Sequence, residues 1–236
     1  MLFQKNGLKR FLLFFVCCAG IFSNVAAEDI KRIGVPYIQN YSKDMYGSGN
    51  QNWSITRDTQ GVMYFGNGEG LLSYDGKYWK QYEMPGRQIV RAVAADKNGR
   101  IYVGSYAEFG YWSIKDKRMQ YTSLKGLVPA KHTLNSEIWK IYTEGDRTIF
   151  QSFSAIYIFQ HNKVSVIQNP GSLLFLHQVG KRYIAEVLGQ GLFELQGNRL
   201  VALQNEGTLR PSDVLSILPF NNNQLLIGTR KNGLFL

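Results

Sequence analysis

The sequence predicts an all-β protein, a β-propeller with four complete four-stranded blades and part of a fifth. Three observations carry that expectation. One four-strand pattern recurs five times along the chain. Glycine is frequent and proline scarce, at 24 and 6 residues, and Phe, Tyr and Trp make up 14% of the chain. Short aromatic strands joined by tight turns have this composition, whereas a disordered chain does not.

The five units start at Trp53, Val90, Ile138, Leu173 and Val214. In each, an apolar strand ends in a polar turn (RDTQG, ADKNG, TEGDR, VGKR, FNNN). A second, alternating strand follows (VMYFG, RIYVG, TIFQS, RYIAE, QLLIG), then a short loop and a third strand (GLLSY, FGYWS, AIYIF, GLFEL, GLFL). A second polar turn (DGK, KDK, HNK, QGN) leads to a fourth strand (YWKQY, RMQYTS, VSVI, RLVAL). Aligned on Gly66, Gly104, Gln151, Glu186 and Gly228, the units are 38, 47, 35 and 42 residues apart, the period of a propeller blade. A β-sandwich also has short strands with turns, but it has no reason to repeat one four-strand grammar. Blades are expected at about 53–85, 88–125, 137–170, 172–205 and 213–236. The last unit breaks off in its third strand, and an open arc would leave apolar blade faces and strand edges bare. The chain is therefore expected to be the N-terminal part of a longer protein.

The segment before the repeats has its own logic. Lys5, Lys9 and Arg10 precede an apolar run from Phe11 to Phe22, and Val25 and Ala27 occupy the −3 and −1 positions of a signal peptidase site. Residues 1–27 are expected to be a signal peptide cleaved after Ala27, with 28–52 a lead-in to the first blade. The apolar run is shorter than the roughly 20 residues of an ordinary spanning helix. An uncleaved anchor is the alternative. Both cysteines, Cys17 and Cys18, lie in this segment, so the mature chain has no thiol or disulfide chemistry. Residues 1–27 carry three of the 27 basic side chains and no acidic ones; their removal leaves 209 residues and lowers the formal charge from +10 to +7. The basic residues are scattered among aromatic strands and form no nucleic-acid-binding motif, so direct contact with nucleic acid is not expected.

The first unit, GVMYFGNGEGLLSYDG followed by KYW, resembles the two-component regulator propeller repeat. Its pattern is a glycine, an aromatic-glycine step, then Gly-Leu-x-x-Tyr-Asp-Gly and an aromatic. The preceding GVPYIQNYSKDMYGSGNQNWSI is similar to the start of exported bacterial sensors of this kind. The resemblance covers residues 33–236. It is specific in the first unit, fair in the second, fourth and fifth, and weak in the third, where Gln151 and Ala155 replace glycines. It implies a propeller followed by a triple-tyrosine β-sandwich, a transmembrane helix, and either a histidine kinase or a LuxR-type DNA-binding output. On that basis the chain is expected to be the periplasmic sensor portion of an inner-membrane signal-transduction or transcription regulator. Its partners would be an extracellular small molecule or oligosaccharide and its own downstream domains, and a homodimer is compatible with this class. The alternative reading is a secreted propeller enzyme, such as a glycan lyase or hydrolase, or a free-standing carbohydrate- or protein-binding module.

The residues themselves offer little catalytic chemistry. GNGEG (66–70) is not a phosphate loop, because no helix follows whose N-terminal amides would hold the anion. Gly66 and Gly68 are expected to provide positive φ or a bulge, and Asp75-Gly76 to form a type I′ hairpin. His132, His161 and His177 are scattered, with no HExxH pattern, and there is no calcium-loop motif, so neither a metal nor a cofactor is expected. His177, on a core-like strand, reads as a satisfied structural histidine. No GxSxG elbow occurs, and no catalytic residue is assigned.

Ligand binding on one rim remains. In an up-and-down blade the loops between second and third strands share a face with the blade-to-blade connections. Those loops vary between units while the strands keep their grammar, as expected where loops carry specificity on a fixed frame. They contribute Asn67 and Glu69, Tyr106, Glu108 and Phe109, Ser152 and Ser154, Gln190, and Arg230, Lys231 and Asn232. Of these, Asn67, Glu69, Tyr106, Glu108, Gln190 and Arg230 are the candidate ligand contacts. Trp53, Arg91 and Trp139, at the starts of innermost strands, read as blade packing. N-terminal sequencing of the exported chain should begin at Glu28. A membrane-bound form still starting at Met1 would instead identify the segment as an anchor.

Overall fold

A computed structural model of the chain describes residue 34 and residues 38–203, 213–221 and 224–236. The signal segment, with its expected cleavage point after Ala27, lies outside the described residues. All strands belong to the compact unit Tyr41–Leu236. Blade I consists of β1 (Asn52–Arg57), β2 (Met63–Asn67), β3 (Gly70–Tyr74) and β4 (Trp79–Tyr82), and blade II of β5 (Ala92–Ala95), β6 (Ile101–Ser105), β7 (Glu108–Lys115) and β8 (Arg118–Ser123). Blade III is β9 (Ile138–Glu144), β10 (Arg147–Ser152), β11 (Ala155–Gln160) and β12 (Lys163–Gln168). Blade IV is β13 (His177–Val179), β14 (Arg182–Val187), β15 (Gly191–Gln196) and β16 (Arg199–Ala202). The fifth sheet holds β17 (Val214–Pro219), β18 (Leu225–Thr229) and β19 (Leu234–Phe235). Every sheet runs antiparallel in chain order, the up-and-down order of propeller blades.

The turn between first and second strands shows why the sequence pattern recurs. Asp58 Oδ1 accepts the amides of Gln60 and Val62, each at 2.9 Å, and the Tyr64 hydroxyl donates to Asp58 Oδ2. Blade II repeats the device: Asp96 Oδ1 accepts from Asn98 and Arg100, and Tyr102 donates to Asp96 Oδ2. An aspartate that satisfies amides two and four residues ahead closes the turn, and a tyrosine from the next strand seals it.

The outer hairpins correct the sequence expectation. Asp75 and Gly76 do not form a two-residue type I′ turn. The strands close on Tyr74↔Trp79, leaving a four-residue loop in which Asp75 Oδ1 accepts the amides of Lys77 and Tyr78. Type I′ geometry falls instead on Asp116-Lys117 and His161-Asn162, whose φ angles are all between 49° and 61°. The side-chain carboxylate decides this, because capping amides two and three residues on requires the wider loop. Gly66 and Gly68 likewise lack positive φ, which falls on Gly70 at +125°.

Four hydrophobic clusters fill the junctions between successive blades. Leu71, Val90, Val103 and Trp112 lie between blades I and II, and Phe109, Ile138, Phe150 and Tyr157 between II and III. Ile156, Leu176, Tyr183 and Val187 lie between III and IV, and Ile184, Leu192, Val214 and Ile217 between IV and the fifth sheet. Large side chains on alternate strand positions meet those of the next blade. The lead-in covers the other face of blade I. Tyr41, beside the short helix α1 (Lys43–Tyr46), and Tyr46 within it pack against Trp79, which also contacts Phe65 and Tyr74.

The position used to align the units makes the same kind of contact in four blades. A Cβ on Gly66 would lie 2.8 Å from the Val90 carbonyl oxygen at the start of blade II. One on Gly104 would lie 2.5 Å from Ile138 Cγ2, at the start of blade III. Where a larger residue stands there, it bonds the next blade. Gln151 donates to the Leu174 carbonyl and accepts the Leu176 amide, and Glu186 Oε2 accepts the Val214 amide at 2.6 Å. On the opposite face, Thr56 of blade I accepts the Ala95 amide while Thr143 of blade III donates to the Ala95 carbonyl. Gly104→Ala should lower stability by about 1–3 kcal/mol, since the β-branched Ile138 cannot swing aside. Gly126→Ala, with open space around it, should change stability by less than about 0.5 kcal/mol. Urea unfolding of the two variants side by side checks the difference.

Candidate functional site

On the face that carries the blade-to-blade connections, side chains from consecutive blades converge at their inner edges. The Arg91 guanidinium lies 3.9 Å from the centroid of the Trp53 ring and 5.4 Å from that of Trp139. The two indoles meet edge-on at 6.4 Å. Arg91 Nε donates to Glu137 Oε1 at 3.0 Å. Beyond Trp139, Phe153 stacks on the indole at 5.5 Å and 19°, and Phe175 meets it edge-on at 6.1 Å. Lys140 Nζ sits over the Phe175 ring at 5.3 Å. Trp53 remains 42% exposed, and Tyr106, bridged through its backbone to Glu137, is exposed beside it.

A backbone irregularity aims these side chains. Pairing between β1 and β2 passes from Asn52↔Asn67 to Ser54↔Gly66, so Trp53 is an inserted residue. Between β9 and β10 it passes from Ile138↔Ser152 to Lys140↔Gln151, with Trp139 inserted, and the fifth sheet inserts Leu215 in the same way. Arg91 holds the corresponding place in blade II, one residue before the pair Ala92↔Gly104. A bulge turns the inserted side chain out of the regular alternation, here toward the inner edge. Trp53 and Arg91 stand 13 residues before the aligned glycine of their units, and Trp139 stands 12 before Gln151. That near-constant offset is the signal by which the sequence could have grouped them. The offset alone does not separate a site from packing, because large residues at the start of an inner strand usually pack.

The arrangement is electrostatically incomplete. The Arg91 side chain is only 15% exposed, so its stacking on Trp53 falls toward the upper end of the range for such contacts, about 2 kcal/mol. Glu137 engages the guanidinium through one oxygen and one nitrogen rather than the two-point fork. Arg91 Nη1 is buried and has no hydrogen-bond partner among the described residues. Half-exposed aromatic rings with a charged donor between them suit a ligand that has both an apolar face and hydrogen-bonding groups.

The candidate rim residues are spread more widely. Asn67 is fully buried: its Oδ1 accepts from Ser48 Oγ and the amides of Gly49 and Glu69, and its Nδ2 donates to the Gly49 carbonyl and Asn52 Oδ1. Three of those five bonds, to Ser48 and Gly49, tie the lead-in to blade I, and together the five leave the side chain no free donor or acceptor. Glu69 is exposed, and Gln81 donates to its backbone carbonyl. Glu108 Oε1 accepts from Tyr121 and Ser123 of the outermost strand of blade II, away from the inner edge. Burial, with the Glu108 charge beside it, pushes the Tyr121 phenol far above its usual range. Phe109 is a core residue. Gln190 is exposed and donates to the Pro170 carbonyl. Arg230 pairs with Asp213 at 2.6 Å, and its hydrogen bond holds that carboxyl below the ordinary range. Of the six, Tyr106 alone lies at the inner cluster; Trp53, Arg91, Glu137, Trp139, Phe153 and Phe175 were not among them.

His177 differs from its expected role. It lies on β13, but its Nε2 is buried without a partner among the described residues, so it is structural yet unsatisfied. Burial, reinforced by the Lys140 charge, pushes its imidazole down to about 4. Among the described residues no group of three His, Cys, Asp or Glu side chains could hold a metal ion, and no helix is long and apolar enough to cross a membrane.

No family model matches the chain, and no curated protein matches it. Solved structures do. The extracellular domain of a hybrid two component system from B. thetaiotaomicron is similar over 75% of this chain, with 17% identity and a TM-score of 0.54. The WD40 β-propeller domain of Doa1 is similar over 77% of this chain and 63% of its own, with 10% identity and a TM-score of 0.56. PorZ, a surface component of the type-IX secretion system of Porphyromonas gingivalis, is similar over 78% of this chain and 24% of its own, at 13% identity and a TM-score of 0.53. The chain spans about a quarter of the B. thetaiotaomicron domain. At these identities the likeness establishes the fold, and the fold is that of a β-propeller.

The histidine makes a pH-dependent test. Between pH 6.5, the ordinary histidine value, and about 4, the unfolded chain binds a proton that folded His177 refuses, so its contribution to stability falls as pH falls through that window. His177→Gln should lose less stability than the wild type between pH 7 and pH 4.5, read from urea midpoints; equal losses would show the residue to be titrating normally.

Proposed function

We propose that the chain is the exported sensor part of a bacterial signal-transduction regulator, and that it binds an extracellular glycan at the Trp53–Arg91–Trp139 cluster. One observation carries the ligand reading: two indoles from different blades are brought together around an arginine at the inner edge, with one of them nearly half exposed. A pyranose ring presents C–H groups on its faces and hydroxyls around its edge. The electron-rich face of an indole accommodates the former, and charged or polar neighbours bond the latter. Support for the sensor reading comes from the repeat pattern of the first unit and from the fold likeness to an extracellular domain of a hybrid two component system. In this reading the domain faces the periplasm and passes its signal to domains of its own protein, as a monomer or homodimer, without itself catalysing a reaction.

The test is glycan binding to the exported full chain, measured by calorimetry against a panel of oligosaccharides, together with an assay for new reducing ends. Trp53→Ala should weaken the best-binding glycan at least tenfold while leaving far-ultraviolet circular dichroism unchanged, because Trp53 lies outside the buried interblade clusters. No reducing ends should appear. Steady release of them would favour the secreted-enzyme alternative.

A further inference from the structure

The guanidinium at the centre of the cluster is held firmly yet used only in part. Arg91 is stacked on Trp53, and Glu137 takes its Nε through a single carboxylate oxygen, while the buried Nη1 has no acceptor among the described residues. A buried charged donor without a partner destabilises the free protein, and an acceptor brought to it on binding would relieve that cost. The local charges point the same way. Two cations, Arg91 and Lys140, stand in the cluster; Glu137 pairs with Arg91, while Lys140 is placed over Phe175 and makes no ion pair among the described residues. A planar guanidinium is the side chain best matched to a two-oxygen anion, because its paired N–H groups meet both oxygens at once.

From these observations we infer that the ligand is an acidic oligosaccharide, whose ring lies against the Trp53 and Trp139 indoles and whose carboxylate is received by Arg91. This rests on the glycan-binding reading and narrows it to uronate-containing chains. Glu137 then has a defined part. It orients the guanidinium through Nε and lowers the net positive charge, so that binding stays reversible.

The experiment compares an oligogalacturonate, an oligoalginate, the methyl esters of both, a sulfated carrageenan oligosaccharide and neutral cellotetraose, titrated into the exported full chain by calorimetry at low and high salt. At least one uronate chain should bind ten times or more tighter than its own methyl ester, with a preference that shrinks as salt rises. Arg91→Met should bring acid and ester within about threefold of each other. Glu137→Gln should tighten acid binding severalfold, which tests the idea even if Arg91→Met folds poorly. Equal binding of acid and ester in the wild type overturns the inference, as does selective binding of the sulfated chain. If cellotetraose alone binds, and loses affinity in Trp53→Ala, glycan recognition stands and the acidic ligand falls. If none of the six binds, both fall.

Discussion

The rest of the structure depends on the contact that the second strand of each blade makes with the start of the next. At Gly66 and Gly104 the absent side chain lets the following blade's backbone or β-branched residue come within van der Waals range. At Gln151 and Glu186 a long polar side chain stands instead and ends on backbone groups at the start of the next blade. Either solution sets the distance and angle between neighbouring blades. The four interblade clusters can pack only once that distance is set, so each joint and its cluster form one cooperative unit with nearest-neighbour character.

The same joint places the candidate site. The residue that makes the joint pairs with the inner strand just beyond the inserted Trp53, Trp139 and Leu215, and just beyond Arg91 in the corresponding place of blade II. A frame that keeps the joints regular therefore presents one side chain per blade at this position, inserted by a bulge in blades I and III and the fifth sheet. The chemistry there varies with the residue while the geometry stays constant: indole, guanidinium, indole and an aliphatic chain. Arg91 would be costly as an isolated half-buried charge. Two aromatic neighbours and one acid hold it in place, and the incomplete pairing leaves it able to receive a further acceptor.

Much of the fold was legible in the residues because strand alternation, Asp-capped turns and glycine punctuation are local features. Asp58 and Asp96 act on amides two and four residues away, and their effect is visible in the spelling of RDTQG and ADKNG. The site was less legible. Glu108 and Asn67 sit in the expected loops, yet Glu108 turns outward to Tyr121 and Ser123 and Asn67 is consumed in tying down Ser48 and Gly49. A loop position tells which face of the molecule a residue is on, but not whether its side chain points inward, outward or into the protein.

By itself the sequence determined the all-β class, the four-strand grammar and which loops share a face of the blades, since each follows from periodicity within a few residues. Only the tertiary structure decided that Trp53, Arg91, Glu137 and Trp139 meet. They come from three blades and are separated by up to 86 residues. Their convergence depends on interblade distances and on bulges that arise only when the strands pair, and no local pattern specifies either.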